Sequence, residues 1–252
     1  MRSENEPTLY VKKESDNFII VCLYVDDIIY TSSSNFLVDN FKSQMMNEFE
    51  MSDMGLLHYF LGLEVHQTDD GIFLSQRKYD RDLNKFGMLN CKPAATPMNI
   101  NEKLQQVNEE EELIDARRFR SLVGGLIYLT HTRPDIAFSV GVVSRFMHQP
   151  SKVHYGAAKR ILRYIGGTLD FGIWYSRTNN FKLCGYTDSD YGSSLDDRRS
   201  LSANVFTLGS DAVTWSSKKQ ATATLSTLET EYVAVTSAAC QAVWLRRVLA
   251  DL

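Results

Sequence analysis

The sequence predicts an α+β fold, on three observations. An apolar run, Phe18 to Val25, is followed after two acids by a second one, Ile28 to Tyr30, the pattern of a β-hairpin. A middle region repeats apolar residues at three- and four-residue spacing, as helices with one buried side do. From Phe181 onward come three short strand-like stretches and then one long helical pattern. The 252 residues suffice for one large or two small cores, and 44% hydrophobic with 23% charged residues describes an ordinary globular chain.

The hairpin places Tyr24-Val25-Asp26-Asp27 at its turn. Tight hairpins usually turn on Asn-Gly or Asp-Gly. Two adjacent carboxylates repel, so their use here points to a ligand, and a divalent cation suits them: Mg²⁺ takes one or two carboxylates together with substrate phosphates. The alternative is a solvated turn that carries two acids. Ser32 to Asn35 then offers N-cap residues, and Leu37, Phe41, Met45 and Phe49 recur every fourth residue in a helix. Tyr59 to Val65 and Ile72 to Leu74 read as strands joined through Asp69-Asp70-Gly71. Gln76 to Phe86 reads as a helix stopped at Gly87.

Cys91 to Leu113 carries Pro93, Pro97 and a run of glutamates from Glu109 to Glu112, and reads as a linker. Arg117 to Leu129 and Ile136 to Met147 are two helices broken at Thr132-Arg133-Pro134, Pro134 opening the second. His154 to Ile165 is amphipathic: Ala158, Ile161, Leu162 and Ile165 share one face, while Lys159, Arg160 and Arg163 group on another. Gly166-Gly167 ends it. Phe181 to Thr187, Ala203 to Leu208 and Ala212 to Ser216 are the three late strands. The final helix, Leu228 to Leu249, opens with the capping-box pattern Ser226-Thr227-Leu228-Glu229.

Net charge is −4, not the profile of a strong nucleic-acid binder, yet the distribution is uneven. Between Arg117 and Arg163 stand nine Lys/Arg and a single acid, Asp135. Such a stretch tracks a phosphate backbone, unless its members pair with the acidic run just upstream. Cys22, Cys91, Cys184 and Cys240 are far apart, and the polar opening Met1 to Pro7 is no signal peptide. Reduced thiols in an intracellular protein, cytoplasmic or nuclear and without a membrane span, are expected.

Several segments together resemble the pol region of copia-type LTR retrotransposons, from about Leu9 to Leu252. In order they are Leu23-Tyr24-Val25-Asp26-Asp27-Ile28, Met51 to Gly62, Ser75-Gln76-Arg77-Lys78-Tyr79, Phe119 to Leu129 and Thr132-Arg133-Pro134-Asp135-Ile136. They continue with Tyr186-Thr187-Asp188-Ser189-Asp190, Asp197-Arg198-Arg199-Ser200, Trp215 to Gln220 and Glu229 to Ala234. The resemblance implies a partial reverse transcriptase palm over 1–90, a linker over 91–115, and a helical thumb or connection over 116–178. Residues 179–252 would be the first half, three antiparallel strands plus a helix, of a ribonuclease H-like domain.

The resemblance also implies roles. Asp26 and Asp27 match the Mg²⁺-binding catalytic pair of the polymerase. Asp188 and Glu231 match two metal-binding carboxylates of the ribonuclease H, Glu231 being preferred to Glu229, which the capping box accounts for. Lys159, Arg160 and Arg163 become the residues expected to meet nucleic acid. The implied partners are a template-primer or RNA–DNA hybrid and the rest of the Pol polyprotein. An upstream palm aspartate and a further aspartate on a fourth ribonuclease H strand have no match within residues 1–252, so the chain is expected to be inactive alone. The alternatives are a non-catalytic remnant or a host interaction module with weak nucleic-acid binding.

Overall fold

The computed structural model describes residues 1–82, 86, 88, 91–99, 102–106 and 112–252, and is mixed α/β with antiparallel sheets. Contacts divide the chain into two compact units, Met1–Leu57 with Ala239–Leu252, and His58–Ala238. The segment after Leu57 groups with the helical region.

In the smaller unit β1 (Leu9–Glu14), β2 (Asn17–Tyr24) and β3 (Asp27–Ser32) form an antiparallel meander, and α1 (Asn35–Glu48) follows. The β2–β3 hairpin is the one expected from the two apolar runs. β1 is an addition; only two of its six residues, Leu9 and Val11, are buried. The expected helix is present and packs through Leu37, which is buried, and through Phe41, whose ring lies 5.2 Å from that of Tyr30. A small network secures the chain beyond it. Lys42 reaches Asp53 at 2.8 Å and the Tyr30 hydroxyl donates to the same carboxylate. The Lys42 bond and the Gly55 amide hold the Asp53 carboxyl below its ordinary range. The C-terminal residues join this unit through the Asp251 carboxylate, which accepts from Ser3 and Asn5, and through the Trp244 indole, which donates to the Asn5 carbonyl.

The larger unit has two sheets. The first runs β4 (Tyr59–Phe60), β5 (Leu63–Gln67), β6 (Gly71–Ser75) and β7 (Ile173–Ser176). The expected strand Tyr59 to Val65 is therefore two strands. Leu61 and Gly62 break it with φ +48 and +82, a two-residue turn that returns the chain on itself. Gly62 is required twice over. Its φ is positive, and a Cβ there would lie 1.8 Å from the Tyr128 hydroxyl, which donates to the Leu61 carbonyl. β7 has no counterpart among the expected elements; it pairs with β6 across about a hundred residues of sequence. α2 spans Arg77–Asp82, and the expected helix end at Gly87 lies outside the described residues.

The helices α3 (Ala116–Leu129), α4 (Ala137–Val143) and α5 (Lys152–Gly166) enclose the core. Phe119, Leu122, Leu126 and Leu129 fall on one stripe of α3, and Ile161, Leu162 and Ile165 on the face of α5 anticipated by spacing; all are buried. The helix expected over 136–147 is shorter. Pro134 opens a 3₁₀ turn, Pro134–Ile136, before α4, and a second such turn, Ser144–Phe146, closes it. α5 begins with a capping box in which His154 takes the place usual for Glu: its Nδ1 accepts from the Ser151 amide, its Nε2 meets the Gln105 carbonyl at 2.8 Å, and its ring stacks on Phe146. The second sheet is β8 (Leu183–Asp190), β9 (Leu201–Leu208) and β10 (Asp211–Lys219), in that order, and residues 227–238 of α6 (Thr227–Asp251) follow it. Among the described residues no helix is long and apolar enough to cross a membrane, and all four cysteines are free.

Arg133 departs most from its sequence reading. Counted there with the basic stretch, it is 1% exposed and wholly consumed inside. Its guanidinium forks onto Asp135 at 2.8 and 2.9 Å, donates to the Thr168 carbonyl and hydroxyl at 3.0 and 2.6 Å, and lies over the rings of Tyr164 and Phe171. Burial pushes the Asp135 carboxyl up; the Arg133 bonds and charge, with the Tyr164 hydroxyl, outweigh it and hold the carboxyl below its usual range. Arg133→Ala would empty a buried site and leave the Thr168 carbonyl and the partly exposed Asp135 carboxylate without their donor. It should destabilise the protein by about 1–3 kcal/mol, read as a lower urea midpoint by circular dichroism; a midpoint equal to the parent's would show that the pair carries no such weight.

Candidate carboxylate sites and the basic face

β2 and β3 are in continuous register from Ile19↔Ser32 to Tyr24↔Asp27, which leaves Val25 and Asp26 as the two loop residues. Asp27 is thus the first residue of β3 rather than part of the loop. Val25 has φ +55, and Asp26 does not share it, so the turn is of the II′ kind, in which the first position is ordinarily glycine. A β-branched residue in the left-handed region is strained by contact between its side chain and the backbone. The Val25 side chain is 84% exposed, so no packing offsets that strain. Strained backbone of this kind clusters at functional turns. The sequence offered a signal for it, a valine at the position where the turn needs positive φ, which the reading of the two acids passed over.

Asp26 and Asp27 are both exposed, and neither carboxylate has a hydrogen bond or ion pair to a described residue. Their oxygens are free acceptors, the donor chemistry a hard cation takes. Asp27 lies three residues before Tyr30, whose ring contacts α1, so by strand alternation its side chain leaves the sheet on the face opposite α1.

Asp188 sits on β8, an edge strand, paired with Ala203; Glu231 sits in the first turns of α6. Both are exposed and unbonded to described residues. Register puts Asp188 on the face shared by Ala203 and Ser217, the face from which Trp215 donates to the Thr130 carbonyl. Glu229 does serve the helix start: its amide bonds to Ser226 Oγ and its carboxylate accepts from the Leu225 amide. Among the described residues no three His, Cys, Asp or Glu side chains converge as a metal-holding group.

The basic residues of α5 are differently placed from a free face. Arg163 donates to the Lys92 carbonyl at 2.8 Å and Arg160 to Thr96 Oγ1 at 2.9 Å, so both fasten the segment around Pro93 to α5. Lys152 pairs with Glu112 at 2.5 Å, the upstream acidic run reaching back as the alternative reading had it. Lys159 lies 4.6 Å from the centre of the Tyr155 ring, and Arg118 approaches the same ring at 5.6 Å. Of the basic stretch, Arg117, Arg118 and Arg120 are exposed on α3, while Lys159, Arg160 and Arg163 are half-buried, the last two engaged in the bonds just given.

Other motif residues prove to be joints. Gln76 accepts from Thr132 Oγ1 at 2.8 Å and donates to the Tyr128 carbonyl, linking three motif segments. Asp197 binds Lys219 at 2.8 Å; that bond, with Ser194 and the Arg199 amide, pulls its carboxyl down to about 2. Gln220 is 5% exposed and ties β9 to α6.

Residues 1–100 match the reverse transcriptase (RNA-dependent DNA polymerase) family. An uncharacterized mitochondrial protein of Arabidopsis thaliana is 40% identical over 223 residues, 88% of this chain and 92% of that protein. The retrovirus-related Pol polyprotein from transposon RE2 of the same plant is 36% identical over the whole chain, and that from transposon TNT 1-94 of Nicotiana tabacum is 37% identical. The chain spans 17% and 20% of those two polyproteins. No solved structure matches it. The chain belongs to the reverse transcriptase family of copia-type retrotransposon Pol polyproteins.

Replacing Val25 by glycine should remove the strain at the turn. Val25→Gly is expected to stabilise the protein by about 1 kcal/mol, as a raised urea midpoint; an unchanged or lowered midpoint would mean that the turn holds no strain.

Proposed function

We propose that this chain supplies part of the polymerase centre of an RNA-directed DNA polymerase within a Pol polyprotein, with Asp26 and Asp27 as the carboxylates that hold Mg²⁺. The observation that carries the reading is the strained Val25-Asp26 turn, which presents two exposed acids, unbonded to any described residue, at the end of a hairpin. Mg²⁺ bound there would stabilise the negative charge on nucleotide phosphates. The chain's own part is positional. β2 and β3 fix the spacing of the two acids, and the register keeps Asp27 off the face that α1 covers. Asp188 and Glu231 are proposed as the corresponding metal-binding carboxylates of a hybrid-cleaving ribonuclease H portion. The exposed Arg117, Arg118 and Arg120, with the half-buried Lys159, are proposed as the contacts to the phosphate backbone of the template-primer.

The test is primer extension by a Pol protein that contains this segment. Asp26→Asn and Asp27→Asn should each lower nucleotide incorporation at least about 100-fold, with template-primer binding retained. Incorporation at the parent rate in either variant would remove that residue from the centre.

A second reading has an observation in its favour. The mitochondrial relative is almost wholly covered by this chain, so a segment of about this length recurs as a protein by itself. In that setting the activity would be nucleic-acid binding without catalysis. Four basic groups contacting a duplex predict a slope of about −3.6 in log affinity against log salt, measured by hybrid binding to the isolated chain between low and physiological salt. Flat or absent binding would leave this second reading without support.

A further inference from the structure

We propose that Tyr155 is a positioning residue that gathers Arg118 and Lys159 into one contact for a nucleic-acid phosphate; this rests on the reading of those two side chains as contacts to the template-primer backbone. Tyr155 lies in the first turn of α5, four residues before Lys159, so the two share a face of the helix. The Lys159 ammonium stands over the Tyr155 ring, 4.6 Å from its centre. The Arg118 guanidinium, reaching across from α3, stands over the same ring at 5.6 Å. The face of an aromatic ring is its negative part and attracts a cation. Here a single ring attracts two, and the two like charges repel each other. Tyr155 itself is anchored, because it packs against the helical core. Its hydroxyl is buried with no hydrogen-bond partner among the described residues, so the hydroxyl bonds neither cation and the ring alone gathers them.

No anion among the described residues relieves that repulsion. Neither Arg118 nor Lys159 makes a hydrogen bond or an ion pair to a described residue. The described acids just before α3 are otherwise used: Glu112 pairs with Lys152, and the Asp115 carboxylate caps α3 by accepting from the Arg117 amide. Arg118 also stands in the first turn of α3, where no acid is present, although the positive end of a helix favours one there. Positive charge assembled in this way is completed by an anion from outside. A backbone phosphate is the anion that the proposed function supplies, and its oxygens accept from ammonium and guanidinium alike.

The experiment is binding of an RNA–DNA hybrid duplex to the isolated chain across a salt series. Tyr155→Leu keeps an apolar side chain against the core and removes the ring; it should weaken binding at low salt about fivefold. Tyr155→Phe keeps the ring and should bind as the parent does. Arg118→Gln combined with Lys159→Gln should bring the slope of log affinity against log salt from about −3.6 to about −1.8. Adding Tyr155→Leu to that pair should weaken binding no further, since the ring then has no cation to hold. Where Tyr155→Leu fails to fold, stepwise fluorination of the ring in Tyr155→Phe takes its place. Fluorine withdraws charge from the ring face and leaves its shape nearly unchanged, so affinity should fall with each fluorine. A parent slope in the combined Arg118→Gln and Lys159→Gln variant would overturn the phosphate-contact reading itself. With that slope lowered, three results would overturn the positioning role and leave the contacts intact: parent affinity in Tyr155→Leu or after fluorination, a Tyr155→Leu loss equally large without the two cations, or the same loss in Tyr155→Phe.

Discussion

Burying a guanidinium is so unfavourable that every group around it must be in place, and in the larger unit that group is Arg133. Taking one ion out of water costs several kcal/mol even after relaxation. Arg133 meets the cost with a forked bond to Asp135, two bonds to Thr168 and two aromatic faces. Those partners come from the turn after α3, from the end of α5 and from the link to β7. Their positions are set together. The link continues into β7, which then pairs with β6, so one buried cation ties helix ends to a sheet edge.

The same logic accounts for the motifs by which the family is recognised. Most of their residues are not chemical groups awaiting a substrate. Gln76 binds both Tyr128 and Thr132; Asp53 binds Lys42 and Tyr30; Asp197 binds Lys219. A buried or half-buried polar group is tolerated only with its partner at the right distance, so such pairs cannot drift independently. Ancestry is therefore written in the joints of the scaffold. Asp26, Asp27, Asp188 and Glu231 differ in kind, being exposed carboxylates without a partner among the described residues.

Charge counted along a chain is not charge displayed on a surface. Of the basic stretch from Arg117 to Arg163, Arg133 is inside the fold, Arg160 and Arg163 hold the segment around Pro93, and Lys152 answers Glu112. Arg145, at the 3₁₀ turn after α4, is depressed below its ordinary range by burial, against the opposing pull of Asp197 and Asp196. A long side chain satisfies whatever acceptor lies within its reach, and packing decides which acceptor that is. The acidic turn behaves oppositely. Its geometry follows from two strands of continuous register, and the strain at Val25 is local to that loop.

The sequence by itself determined the features whose causes are local. Helical period placed the buried stripes of α3 and α5, Pro134 opened a helical turn, Ser226 and Glu229 started α6, and the apolar runs paired around the two acids. Those signals act within a few residues and survive any tertiary arrangement. The break at Leu61-Gly62, the strand β7, the burial of Arg133 and the partners of Arg160 and Arg163 were decided only by the tertiary structure. Each depends on residues tens of positions away, such as Tyr128 against Gly62 or Thr96 against Arg160, and a linear pattern carries no record of which distant group fills a given space.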